Sequence, residues 1–210
     1  MKNFTLIFIA AACFFACTPK KADSTKVDAT TIENLKIAIT GESNASAKYA
    51  LISDMALNLE QNGISAMFAA ASFAENIHVQ NHTTVLNELG KTIEVIAEPE
   101  ISDCLFENIQ HAIDGEVYEF TEMYPPMIEQ AQKETLMDAV KAFTYAKKAE
   151  ETHARLYAET LELLKADKSD EITKVWYVCP DCGNLFNTLE GYELCAICGV
   201  KKDSFVAFEK

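Results

Sequence analysis

The sequence predicts an all-α four-helix bundle followed by a small β-rich module built around four cysteines. Three observations predict it. Four long segments carry apolar residues at helical spacing, the connector between the second and third is long enough to cross a bundle, and two Cys-x-x-Cys pairs stand near the C-terminus. At 210 residues the chain can close one bundle-sized core and a small second one. A net charge of −14, from 18 basic and 32 acidic residues, argues against nucleic acid, which needs a basic face.

The first segment reads as targeting rather than fold. Met1-Lys2 gives a positive start, and Phe4 to Ala16 is an apolar run too short to span a bilayer. Ala16 precedes Cys17, after which Thr18-Pro19-Lys20-Lys21 turns polar. This resembles a bacterial lipoprotein signal, with Cys17 lipidated and forming the mature N-terminus. Cys13 is the alternative processing site, but it would leave Phe14-Phe15 on the mature end. Phe14 also stands where such signals usually carry Leu. A plain secretory peptide or an uncleaved anchor is the simpler alternative. The expected organisation is a signal at 1–16, a tether at 17–30, a bundle at 31–166, a linker at 167–174 and the cysteine module at 175–210. The expected address is the periplasm or cell envelope, with membrane attachment only through the N-terminal lipid.

The helices follow in order. Ile32, Leu35, Ile39, Ala50, Met55 and Leu59 give the first a buried stripe, and Asn62-Gly63 is expected to end it. A second helix is expected from Ser65 to Leu89, stopped by Gly90. Residues 91–101 contain Pro99 and no helical period. A third helix starts near Ser102, whose hydroxyl can cap it, and Pro125-Pro126 is expected to break or kink it after Tyr124. The fourth spans about Leu136 to Ala166. One long crossover between the second and third helices is the ferritin-like topology. Beyond a charged connector, Val175 to Val178 reads as a strand.

Each helix places acids where its apolar stripe should continue. Glu42 lies among small residues on the first. Glu75 and His78 stand three apart on the second, as do Glu150 and His153 on the fourth, so each pair shares a helical face. The third carries Glu116 and Glu119. This matches the known template of ferritin-like di-iron bundles, one Glu from each of two helices and Glu-x-x-His from the other two. Five carboxylates converging in a core would each cost several kcal/mol without compensation. Two ferrous or two ferric ions bring charges that bracket that number, and oxygen-rich sites capped by imidazole suit iron or manganese. Glu151, next to Glu150, points about 100° away towards solvent. His82, one turn beyond His78, could stand behind the metal ligands, but the surface is its expected place; His111 receives no role, and Tyr49 and Tyr124 are expected as core aromatics.

The remaining cysteines sort by spacing. Cys104 stands alone and is expected as a buried small apolar residue. Cys179-Pro180-Asp181-Cys182-Gly183 and Cys195-Ala196-Ile197-Cys198-Gly199 are two knuckles whose four thiolates suit a tetrahedral metal. Spacing leaves that metal open between zinc and iron. Gly183 and Gly199 permit the tight turns that aim backbone N–H groups at sulfur.

With both sites placed, the chain from about Thr31 onwards resembles the rubrerythrin family. Gly41-Glu42-Ser43, the run Ala112-Ile113-Asp114-Gly115-Glu116-Val117-Tyr118-Glu119, and Glu122-Met123-Tyr124-Pro125 carry the resemblance. It implies a di-iron centre of two Fe ions on Glu42, Glu75, His78, Glu116, Glu119, Glu150 and His153. It implies a further Fe ion on Cys179, Cys182, Cys195 and Cys198 in a rubredoxin-like domain. Tyr49 and Tyr124 would hydrogen-bond beside the di-iron site, and Glu119 could alternate with His78. The implied activity is a non-haem peroxidase reducing hydrogen peroxide to water in oxidative-stress defence. Electrons would return one at a time through the cysteine-bound iron from a donor the sequence does not reveal. A homodimer or higher homo-oligomer is implied, with one chain's cysteine module near the other's di-iron site. The family is typically cytoplasmic, so the exported N-terminus is a departure. The rival readings are a ferritin-like iron oxidase or storage protein using oxygen, and a zinc-ribbon interaction protein.

Overall fold

The computed structural model describes residues 29–210. The expected signal segment, with Cys13 and Cys17, and the expected tether as far as residue 28 lie outside the described residues. The first helix, α1, runs Ala29–Asn58, and the second, α2, Asn62–Glu88. Asn62-Gly63 therefore opens the second helix instead of ending the first. Glu60, at φ 58°, makes the reversal. Gly63 serves a close approach, since a Cβ there would lie 2.8 Å from the carbonyl oxygen of Thr173. The buried stripe of α1 begins as expected at Ile32, Leu35 and Ile39 but continues through Tyr49, Ile52 and Ala56, while Ala50 and Leu59 face solvent.

Gly90, at φ +72°, follows α2, and an irregular crossover leads to α3 at Leu105–Tyr118. Ser102 does not cap this helix. Its hydroxyl accepts from the Cys104 N–H at 3.1 Å, and the Asn108 side chain clasps both backbone groups of Ser102 at 2.8 Å. Cys104 occupies the N-cap and is exposed, because an extended cap residue stands outside the helix's apolar face.

The prolines do not break the third rod. A π turn at Glu119–Met123 leads without a gap into α4, Tyr124–Lys133. The Tyr124 N–H bonds the carbonyl of Glu119, five residues back. Pro125 and Pro126 then fall in the first turn of α4, where a missing N–H costs little. The last bundle helix, α5, is Met137–Lys165. Among the described residues, no helix is long and apolar enough to cross a membrane.

The C-terminal module is a three-stranded antiparallel sheet in the order β2-β1-β3, from Val175–Val178 (β1), Leu185–Phe186 (β2) and Val206–Glu209 (β3). Trp176, Val178 and Leu185 join the same buried cluster as Ile64, Phe68 and Tyr157 of the bundle. The module thus shares the bundle's core. A second cluster, from Leu35 to Phe143, fills the far end, and the buried acids lie between the two.

Candidate metal centres

Six polar side chains meet in the middle of the bundle. Glu42 comes from α1, Glu75 and His78 from α2, Glu116 from α3, and Glu150 and His153 from α5; all are buried. They form two overlapping groups whose ligand atoms lie within 4.8 Å of one another: Glu42, Glu75, His78 and Glu150, then Glu75, Glu116, Glu150 and His153. Glu75 and Glu150 belong to both. His78 Nδ1 is 2.9 Å from Glu75 and 2.7 Å from Glu150, while His153 Nδ1 is 3.4 and 2.7 Å from the other oxygens of the same two carboxylates. A carboxylate that offers one oxygen to each side is arranged to bridge two cations. Glu119 opens the π turn, half-buried, outside both groups.

The residues fit a pair of metal ions. Both oxygens of Glu75 and of Glu150, Glu42 Oε2, and Nδ1 of His78 and His153 are buried without an aligned hydrogen bond, despite the short Nδ1–carboxylate distances. Such orphaned atoms are costly unless a cation takes them. The protons stand in for the cations without metal. Burial, then Glu150, pushes Glu42 up to about 8. Burial and the neighbouring carboxylates, Glu150 first for Glu116 and Glu42 first for Glu119, hold those two well above the usual range. Burial opposes charge on the imidazoles, yet the surrounding carboxylates, Glu150 foremost, together outweigh it, lifting His78 well up and His153 to about 9. Burial would likewise raise Glu150, but the two imidazoles beside it hold it below the usual range.

The tyrosine hydroxyls cross the centre. Tyr49 of α1 donates to Glu116 of α3 at 2.5 Å, and Tyr124 of α4 donates to Glu42 of α1. Burial and these carboxylates keep both phenols protonated well beyond the ordinary range. His82, expected at the surface, is fully buried, with Nε2 3.0 Å from the Tyr124 oxygen. It lies one turn past His78 on the face that α2 turns inward, and only that spacing could have located it. Tyr157, one turn past His153, went unmarked in the sequence for the same reason; it packs edge-on to Tyr49. His111 and Glu151 are exposed.

The second centre lies in the module. Cys179, Cys182, Cys195 and Cys198 bring their sulfurs within 4.8 Å of one another, with Cys179 to Cys198 at 3.3 Å and Cys182 to Cys195 at 3.5 Å. A tetrahedron with metal–sulfur bonds of about 2.3 Å has edges near ~3.8 Å, so little adjustment is needed. Gly183 and Gly199 turn at φ +75° and +81°. Backbone N–H groups of Asp181 and Cys182 favour the Cys179 thiolate, and those of Ile197 and Cys198 favour Cys195.

Within one chain the module docks on the bundle. Nε2 of His78 meets the Cys182 carbonyl and Nε2 of His153 the Gly183 carbonyl, each at 3.0 Å. Carbonyls only accept, so both imidazoles carry a proton on Nε2 and turn Nδ1 to the carboxylates, which leaves Nδ1 for a cation once its own proton is displaced. A Cβ on Gly183 would overlap His78 Nε2. Asn81 donates to the Asp181 carbonyl at 2.9 Å, and Trp176 Nε1 to the Gly63 carbonyl at 3.0 Å. The short connector and the shared core hold the module at this distance.

A sequence model of the rubrerythrins matches residues 33–161. A rubrerythrin-2 from Clostridium acetobutylicum is 40% identical over 183 residues, 86% of this chain and 98% of its own. The chain belongs to the rubrerythrin family. A nigerythrin from Nitratidesulfovibrio vulgaris is 36% identical, over 89% of this chain and 91% of its own. A solved mixed-valence nigerythrin superposes with a TM-score of 0.78 at 34% identity, covering 89% of this chain and 90% of that one. A Mycobacterium tuberculosis bacterioferritin, at TM-score 0.61 and 23% identity, shares the bundle fold. The fold is thus a ferritin-like bundle followed by a small sheet and a four-cysteine cluster. The carboxylate–histidine cluster is a di-iron site and the cysteine cluster a rubredoxin-like iron site.

Proposed function

We propose that the chain is a peroxidase that reduces hydrogen peroxide to two waters, drawing electrons through its cysteine-bound iron. One observation carries the reading: His78 and His153, both in the carboxylate cluster, hydrogen-bond directly to carbonyls of the Cys182-Gly183 knuckle. A storage protein has no need to join a single-iron thiolate site to its di-iron site. Bound iron would supply the two electrons and the positive charge that stabilises oxygen leaving as hydroxide.

The chain's own residues do the rest. Glu42, Glu75, His78, Glu116, Glu119, Glu150 and His153 are proposed as the di-iron ligands, with Glu75 and Glu150 shared, and Cys179, Cys182, Cys195 and Cys198 hold the third iron. Glu119, at the head of the π turn, is the carboxylate proposed to alternate with His78; π turns often accompany such sites. Tyr49 and Tyr124 fix Glu116 and Glu42 by hydrogen bonds and hold protons next to the reaction. The two protons that water formation requires enter from solvent.

The electron donor is proposed to be an exported redox protein, since Cys17 is proposed to tether the mature chain in the cell envelope. The chain is proposed to act as a homo-oligomer, and the two hydrogen bonds between its centres are proposed as the electron path. Stopped-flow oxidation of the fully reduced protein tests the activity: peroxide should oxidise it faster than oxygen does. Faster oxidation by oxygen would replace the peroxidase with a ferritin-like iron oxidase.

A further inference from the structure

The carboxylate that Tyr124 holds is served by a longer hydrogen-bond chain than its counterpart. The Tyr124 oxygen lies between Glu42 and His82 Nε2. A phenol has one proton, and a carboxylate bound to a cation can only accept. With the phenol proton committed to Glu42, the bond between His82 and Tyr124 needs a donor on the histidine. His82 is therefore protonated on Nε2, and its complete burial disfavours a second proton on the ring.

The other ring nitrogen sharpens the inference. Nδ1 of His82 is buried without a partner, and the imidazole packs against the rings of Tyr124 and Phe143. An orphaned buried acceptor carries a desolvation penalty that an apolar side chain of similar size would avoid. The Nε2–H bond to Tyr124 is what the histidine contributes in return. Tyr157, one turn beyond His153 as His82 is beyond His78, makes no such bond: its hydroxyl has no partner, and Tyr49 reaches Glu116 unaided.

We propose that His82 is a positioning residue that acts through Tyr124, directing the phenol proton to Glu42 and so strengthening the metal position on Glu42 and His78 relative to the one on Glu116 and His153. This rests on the carboxylate cluster holding two metal ions. Glu42 Oε2 has no hydrogen-bond partner and remains for the cation, while Oε1 is taken by Tyr124. Partners behind metal ligands commonly change affinity by about 10–100-fold; His82 acts one bond further out, so the lower end is expected.

Two measurements test it. In the full chain loaded with zinc and labelled with nitrogen-15 histidine, long-range proton–nitrogen correlation should report His82 as the Nε2–H tautomer. An Nδ1–H tautomer would overturn the proposal without touching the two-metal reading. Anaerobic ferrous titration then compares His82→Leu with His82→Gln, whose amide keeps a donor. His82→Leu should weaken one of the two bundle positions about tenfold, and His82→Gln should restore most of it. Equal weakening of both positions, no weakening, or failure of Gln to restore would overturn it. Should His82→Leu not fold, the tautomer decides. A wild-type chain binding fewer than two ferrous ions in its bundle would defeat the underlying reading as well.

Discussion

The bundle carries one pattern twice, and its two halves differ at two places. On α1 and α2, Glu42 is followed seven residues later by Tyr49, and Phe68 precedes Glu75 by seven, with His78 three beyond. On α3 to α5, Glu116 is followed by Tyr124, and Phe143 precedes Glu150 by seven, with His153 three beyond. Each tyrosine reaches the terminal glutamate of the other half. The first break is the π turn, whose extra residue makes the Glu116–Tyr124 spacing eight and adds Glu119. The second is His82, which stands where the other half has Tyr157. A repeated scaffold builds the symmetric part of the site, and the departures from the repeat mark where two otherwise equal metal positions become different.

The largest effect should come from the carboxylates that both halves share. Glu75→Ala or Glu150→Ala should abolish metal loading in the bundle while the cysteine site still fills, read by metal analysis of the purified variants. Loss confined to one ion would show that these residues do not bridge. Next comes the contact between the centres. Gly183→Ala pushes the module off His78, and peroxide turnover should fall by about a hundredfold with all metals retained. Unchanged turnover would place the electron path elsewhere.

Smaller effects separate the halves. Tyr49→Phe and Tyr124→Phe should each cost about tenfold in affinity at one ion only, Tyr124→Phe at the position carrying His78. The smallest concerns protons. Glu42, raised to about 8, and His153, raised to about 9, both keep protons in the folded chain that the unfolded chain releases earlier. Their contribution to stability is complete at low pH and is lost as pH rises through those values. Melting of the metal-free protein should therefore fall from about pH 5 to about pH 9, with Glu150 acting oppositely only in acid. The iron-loaded protein should not show that decline, because metal has displaced the protons.

Much of this was legible in the sequence, because metal ligation fixes residue type and spacing together. Glu75 with His78, Glu150 with His153 and the two cysteine knuckles announce their chemistry by local intervals. What was not legible depends on three dimensions. His82 and a surface histidine look alike until α2 is packed against α4 and α5. Cys104 read as a small buried residue, but its place in the crossover exposes it. Pro125-Pro126 signalled a break because a one-residue π insertion leaves no mark in composition. Gly63 resembled a helix terminator when its role is to admit the Thr173 carbonyl. The docking of the cysteine module on its own bundle rests on Trp176 and Cys182, whose bundle partners Gly63 and His78 lie more than a hundred residues away in the chain.

The most direct test of the account is iron-57 Mössbauer spectroscopy of the purified, iron-replete full chain. The account predicts three irons per chain: one in a tetrahedral thiolate site, and two in oxygen- and nitrogen-rich surroundings with distinguishable parameters. Fewer than two irons of the second kind, two that cannot be told apart, or zinc in place of the thiolate iron would contradict it.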